Sequence, residues 1–172
     1  MDFDLFGKSL IVFISLLQLQ LCCGQEAYQQ KALDLHNQYR ATHHSPALTS
    51  DNTLNSNAVK CAQWYADQQK IDHKCPYKNG TGENLSAGNG GNWSNDQWAE
   101  LSTKMWYDEV KYYNYSNPGF SGKTGHFTQV VWKNSQRLGF GYVQKNGYTV
   151  GVALYSPPGN YQGQFPQNVL RP

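Results

Sequence analysis

The chain has 172 residues, a formal net charge of +2, 15% charged residues and 14% aromatic residues. That length suits one domain of ordinary size. So mild and dispersed a charge argues against a nucleic-acid face or a basic membrane-surface patch. A composition rich in Tyr, Trp, Asn and Gly and short of charge fits an extracellular domain whose surface rests on hydrogen bonds more than on ion pairs.

The N-terminus has the layout of a secretory signal: a leader with one lysine (Lys8), an apolar run from Leu10 to Leu21, and small residues at Cys22-Cys23-Gly24 before Gln25. The run falls short of the roughly 20 residues that a spanning helix needs. Residues 1–24 are therefore expected to be a signal peptide and 25–172 a single exported domain. Cys22 and Cys23 leave with the signal, so Cys61 and Cys75 have one partner each in an oxidising compartment, the alternative being two buried free thiols. Sequons begin at Asn79, Asn84, Asn92 and Asn114. Asn79 and Asn92 lie in loop-like sequence that could carry sugar, and Asn114 is a further candidate.

The first expected helix covers residues 26–42, with Tyr28, Ala32, Leu35 and Tyr39 on one stripe. The second covers about 51–70, with Ser50 as cap and Leu54, Ala58, Cys61 and Tyr65 inward. Residues 76–96 read as a long loop holding a short strand at 83–87. A third helix starts at Ser94 or Asn95 and runs to about Tyr113, with Trp98, Leu101, Met105 and Trp106 buried. His126 to Trp132 is too short to assign as helical turn or strand. Residues 138–144 and 148–155 are two strands joined by Lys145-Asn146-Gly147, a hairpin signal. Helices first and a hairpin last point to an α+β fold with an antiparallel sheet.

Glu109 falls on the apolar side of the third helix, where a carboxylate must find a partner or line a cleft; the alternative is a rim side chain reaching water. His43 and His44 sit at a helix end and read as exposed, and His36 reads as a packing residue. His73 and His126, each bland alone, would with Glu83 and Glu109 form the chemistry of a two-His, two-carboxylate cleft.

Five motifs in order carry a resemblance. They are His36-Asn37-Gln38-Tyr39-Arg40, Gly82-Glu83-Asn84-Leu85, Trp106-Tyr107-Asp108-Glu109, Gly125-His126-Phe127-Thr128-Gln129-Val130-Val131-Trp132 and Pro157-Pro158-Gly159-Asn160-Tyr161. Together they make the chain resemble the CAP superfamily (SCP domain) of cysteine-rich secretory proteins, antigen 5 and pathogenesis-related group 1 proteins. The resemblance implies a three-layer α-β-α sandwich around a central antiparallel sheet. It also implies a cleft in which His73, Glu83, Glu109 and His126 converge. In that cleft the histidines could bind zinc or a similar divalent ion with the glutamates in support; the alternative is an unmetallated polar cluster, and no cofactor is required.

The resemblance further implies extracellular recognition of a sterol, a fatty acid or a protein, in a defence role for some members. Tyr112, Tyr113, Tyr115, Phe120, Tyr155 and Tyr161 could supply an aromatic site. The sequence offers no nucleophile elbow and no His-Glu-x-x-His helix, so no catalytic residue is assigned. A metal-dependent hydrolase or protease is the alternative. Two departures stand out: Val152-Ala153-Leu154-Tyr155 lacks the cysteine usual before the last motif, and no cysteine-rich tail follows the core, so channel blocking is not carried over.

Overall fold

The computed structural model describes residues 25–172, and the expected signal segment at 1–24 lies outside the described residues. Helix α1 (Ala27–Thr42) buries Tyr28, Gln29, Ala32, Leu33, His36 and Arg40. Leu35 and Tyr39, expected on the inner stripe, are only half-buried. The buried face is rotated because His36 and Arg40 find backbone carbonyls to bond, which lets polar side chains occupy it.

Strand β1 (Thr49–Ser50) precedes helix α2 (Asn52–Gln68). Asp51, not Ser50, caps α2: its carboxylate accepts from the Leu54 amide at 3.0 Å. Ser50 is spent in the strand. Cys61 lies fully buried on α2 and is joined to Cys75, with Cα atoms 5.4 Å apart. The bridge staples α2 to the 3-10 turn Pro76–Lys78. Strand β2 (Gly82–Asn89) is longer than the expected short strand.

Helix α3 (Asn95–Asp108) is capped by Ser94, and the next residues, Glu109–Tyr112, tighten into a 3-10 turn. The helix thus ends before Tyr113. Met105 is 41% exposed, contrary to expectation, while Trp98 and Trp106 are buried. The motif around His126 opens with helix α4 (Gly125–Val130). Strands β3 (Arg137–Lys145) and β4 (Tyr148–Ser156) form the expected hairpin, with Asn146 and Gly147 at φ 51° and 76°. That pair of left-handed residues is what a two-residue turn matching strand twist demands. Helix α5 (Phe165–Asn168) follows.

The sheet order is β1-β3-β4-β2. The three long strands pair antiparallel as expected, and the two-residue β1 adds a parallel edge. Helix α2 covers one face of the sheet, with Ala58, Cys61 and Tyr65 packed on Val150, Val152 and Leu154. Helices α1 and α3 cover the other, with Ala32, Leu33 and Trp106 packed around Phe140, Ala153 and Tyr155. Central strand β4 is buried on both sides, which explains its near-continuous apolar run. A Cβ added to Gly139 or Gly141 would stand 2.1 or 2.2 Å from α2 backbone atoms, so α2 rests directly on the backbone of β3. Among the described residues no helix is long and apolar enough to cross a membrane.

Candidate functional site

His73 lies after α2 in a left-handed backbone conformation (φ 60°), rare for a side chain without a local hydrogen-bonding reason. Its Nδ1 meets Glu83 Oε2 at 2.8 Å. The Glu83 side chain is 2% exposed, accepts from the Tyr65 hydroxyl at 3.1 Å, and has Lys78 Nζ at 3.6 Å. The Tyr65 oxygen in turn accepts from the Cys75 amide, so the disulfide-tethered turn fixes the acid. Burial first, and then the Glu83 carboxylate, push the Tyr65 phenol far above its usual range.

The second pair is built on the other side of the cleft. Glu109 Oε1 meets His126 Nδ1 at 2.7 Å, and Oε2 accepts from the His126 and Phe127 amides at 3.0 and 3.1 Å. Glu109 therefore caps α4 while it orients the imidazole. Thr124, at the N-cap position, makes no side-chain cap. The Trp106 ring lies nearly parallel behind His126, 6.4 Å away.

His73, Glu83, Asn84, Phe120, His126 and Asn160 line one cavity of about 200 Å³. Glu109 is not in that lining; it stands behind His126. Both glutamates engage the Nδ1 side of their partner, and neither Nε2 takes part in a hydrogen bond among the described residues. Carboxylates placed in this way orient imidazoles rather than join them as ligands. Among the described residues no group of three or more His, Cys, Asp or Glu is arranged to hold a metal ion. The donor set thus offers two imidazole nitrogens, one ligand short of the three that catalytic zinc sites use.

A buried chain of hydrogen bonds runs back from the cavity. Asn84 Nδ2 donates to the His126 carbonyl and to the Tyr155 hydroxyl, both at 3.1 Å. Tyr155 donates to His36 Nε2 at 2.8 Å, and His36 Nδ1 donates to the Ala32 carbonyl at 2.7 Å. Both amide hydrogens of Asn84 are therefore used in a 1% exposed side chain, and its sequon has no room for sugar. Asn79, Asn92 and Asn114 are exposed. Sequence reasoning missed the role of Tyr155, whose hydroxyl sits where an apolar strand pattern gives no hint of polarity. It also missed His43, which is fully buried against the Leu170 carbonyl and the Tyr107 hydroxyl rather than exposed at the helix end. Of the expected aromatic set, Tyr113 and Tyr155 are core residues, while Tyr112, Phe120 and Tyr161 are exposed.

Burial, opposed by the Ala32 carbonyl and reinforced by Arg40, lowers His36 to about 4. An unfolded histidine titrates near 6.5. Between those values the unfolded chain takes up a proton that the folded one refuses. Stability should therefore fall as pH drops from about 6.5 to 4, by on the order of 3 kcal/mol, and level off below. His43, lowered chiefly by burial, adds in the same direction. Urea unfolding at stepped pH checks this: a flat profile across that window would contradict it, and His36→Gln should remove most of the slope.

The model of the cysteine-rich secretory protein family, CAP, matches residues 33–155. Human Golgi-associated plant pathogenesis-related protein 1 is 36% identical over 154 residues, covering 87% of this chain and 96% of that protein. Pathogenesis-related protein 1A of Nicotiana tabacum is 39% identical over 176 residues, covering 96% and 99%. Among solved structures, that of NaASP2 with Zn2+ superposes with a TM-score of 0.70 at 22% identity, over 88% of this chain and 90% of the other.

Proposed function

The chain belongs to the cysteine-rich secretory protein (CAP) family, and from that premise we propose that it is an exported, non-catalytic binding domain for a single lipid, a sterol or a fatty acid. The observation that carries this reading is a groove of about 340 Å³ walled by Pro118, Pro166, Val169 and Leu170 and flanked by Tyr115 and Arg171. Apolar walls with one cation at the edge suit a hydrocarbon body with a hydroxyl or carboxylate head. Arg171 rests 5.0 Å over the Tyr115 ring, which holds the guanidinium in place without neutralising it.

Purified protein should retain radiolabelled cholesterol or palmitate on gel filtration with one-to-one stoichiometry. Arg171→Glu should weaken palmitate about 10-fold and leave cholesterol unchanged, since only the carboxylate uses the charge. Retention of neither lipid overturns the reading.

The alternative, a metal-dependent hydrolase, rests on the two imidazoles. A divalent ion would be held by Nε2 of His73 and His126, where it would polarise a carbonyl or acidify a water. Glu83 and Glu109 are committed to Nδ1 atoms, so neither is placed to take a proton from such a water. Among the described residues both cysteines, Cys61 and Cys75, are in the disulfide, which leaves no thiol nucleophile there. Defence, suggested by the pathogenesis-related names of the tobacco relatives, is the biological setting in which a secreted lipid-binding domain of this kind would act.

A further inference from the structure

A second cavity, of about 380 Å³, shares Pro118 with the lipid groove and Phe120 with the His/Glu cavity. Its wall includes Tyr112, Tyr113, Asn114, Asn117, Phe120 and Gln162, and no charged side chain lines it. Tyr112 and Phe120 are 62% and 59% exposed, unusual for large aromatic rings on one loop. Lys111 Nζ lies 5.0 Å over the Tyr112 ring. Phe120 packs its edge on Gly125, where an added Cβ would come within 3.0 Å of it, so the ring is seated rather than loose.

Tyr113 forms the inner wall. It is 9% exposed, and its hydroxyl is buried against the Gly119 backbone. The same wall carries three carboxamides, Asn114, Asn117 and Gln162, each with two donors and an acceptor.

We infer that this cavity is a saccharide subsite that takes one neutral pyranose ring. The C–H face of a pyranose carries partial positive charge and packs on the negative face of an aromatic ring. Its hydroxyls need both donors and acceptors, which the Asn117 and Gln162 side chains supply. A lipid would meet too polar a wall, and an anion would find no cation lining it. The ring can come from a free oligosaccharide or from a glycan attached to Asn114, whose exposed side chain is itself part of the wall. The chemistry is the same in both cases.

Two preparations separate these sources. Protein produced without glycosylation is titrated with chitotriose, cellotriose and laminaritriose to about 10 mM and followed by amide NMR. The expected result is saturable binding of at least one, with shifts confined to residues 112–124 and 162. Tyr112→Ala and Phe120→Ala should each weaken it at least 10-fold with the melting temperature unchanged, and Phe120→Tyr should retain it. Protein secreted from eukaryotic cells should fail to bind the free sugar if the Asn114 glycan fills the cavity, and Asn114→Gln should restore binding. If that secreted protein binds the free sugar as well as the unglycosylated one does, the occupant is a free saccharide.

The inference is overturned if no sugar moves these residues in the unglycosylated protein and removal of the Asn114 glycan leaves their signals unchanged. It is equally overturned if cholesterol or palmitate, rather than sugar, shifts them. Retention of lipid in the groove beside Arg171 is scored separately, so either proposal can fail alone.

Discussion

Arg40→Ala is expected to cost about 4–5 kcal/mol, enough to leave little folded protein at 37 °C. Arg40 is fully buried, yet among the described residues no carboxylate pairs with it. Its guanidinium instead donates to the backbone carbonyls of Pro46, Val130, Trp132 and Ser135 at 2.8, 3.0, 2.8 and 2.9 Å, with Lys133 more distant at 3.5 Å. Burial lowers its pKa to about 10, which leaves the charge intact at neutral pH. Alanine would strand those carbonyls away from water, each at a cost of about 1–3 kcal/mol before relaxation.

Arg40→Lys should recover only part of the loss, because one ammonium cannot reach a fan of acceptors that the planar fork spans. Chemical denaturation of both variants decides the matter. A lysine variant within about 1 kcal/mol of the native protein would show that charge, and not the fork, is what the site needs. The consequence reaches the cleft, since Val130 ends α4 and Arg40 thereby holds the helix that carries His126.

The helices, the hairpin and the identities of the paired residues were legible in the sequence because each leaves a local mark. Asn146-Gly147 specifies a turn through backbone conformation alone, and the spacing of Leu54, Ala58, Cys61 and Tyr65 reports the buried face of α2. What was not legible depends on partners distant in the chain. His36, Arg40 and His43 are polar letters in a helix, and nothing nearby says that the Tyr155 hydroxyl and the carbonyls of residues 130–135 and 170 will receive them. Met105 reads as core by spacing but lies on the side of α3 that no element covers.

Helical periodicity points Glu109 inward, yet it sits just past the end of α3 in the 3-10 turn. It is held by α4 amides that the periodicity could not foresee. Sequence supplied two carboxylates as supports for a cleft, and only geometry distinguishes a ligand from an orienting partner.

Glu109→Ala should be the most damaging single change within the cleft, at about 3 kcal/mol or more, with loss of ordered structure from Gly125 to Val130. A six-residue helix cannot nucleate by itself. Its first amides depend on a carboxylate from another segment, placed at the positive end of the helix, where negative charge is favoured. Alanine removes the acceptor for two amides and for the imidazole at once. Glu109→Gln keeps an acceptor oxygen but turns an amide donor toward one of these N–H groups, so it should retain roughly half of the stabilisation.

Glu83→Gln makes the informative contrast. Glu83 bonds a phenol and an imidazole but no helix amide, so that variant should release His73 while α4 stays ordered. Amide exchange of residues 126–131, measured in all three variants, tests the assignment. If Glu109→Ala leaves those amides as protected as in the native chain, Glu109 is not what caps α4. His126 would then be held in the cleft by Trp106 and the Asn84 hydrogen bond instead.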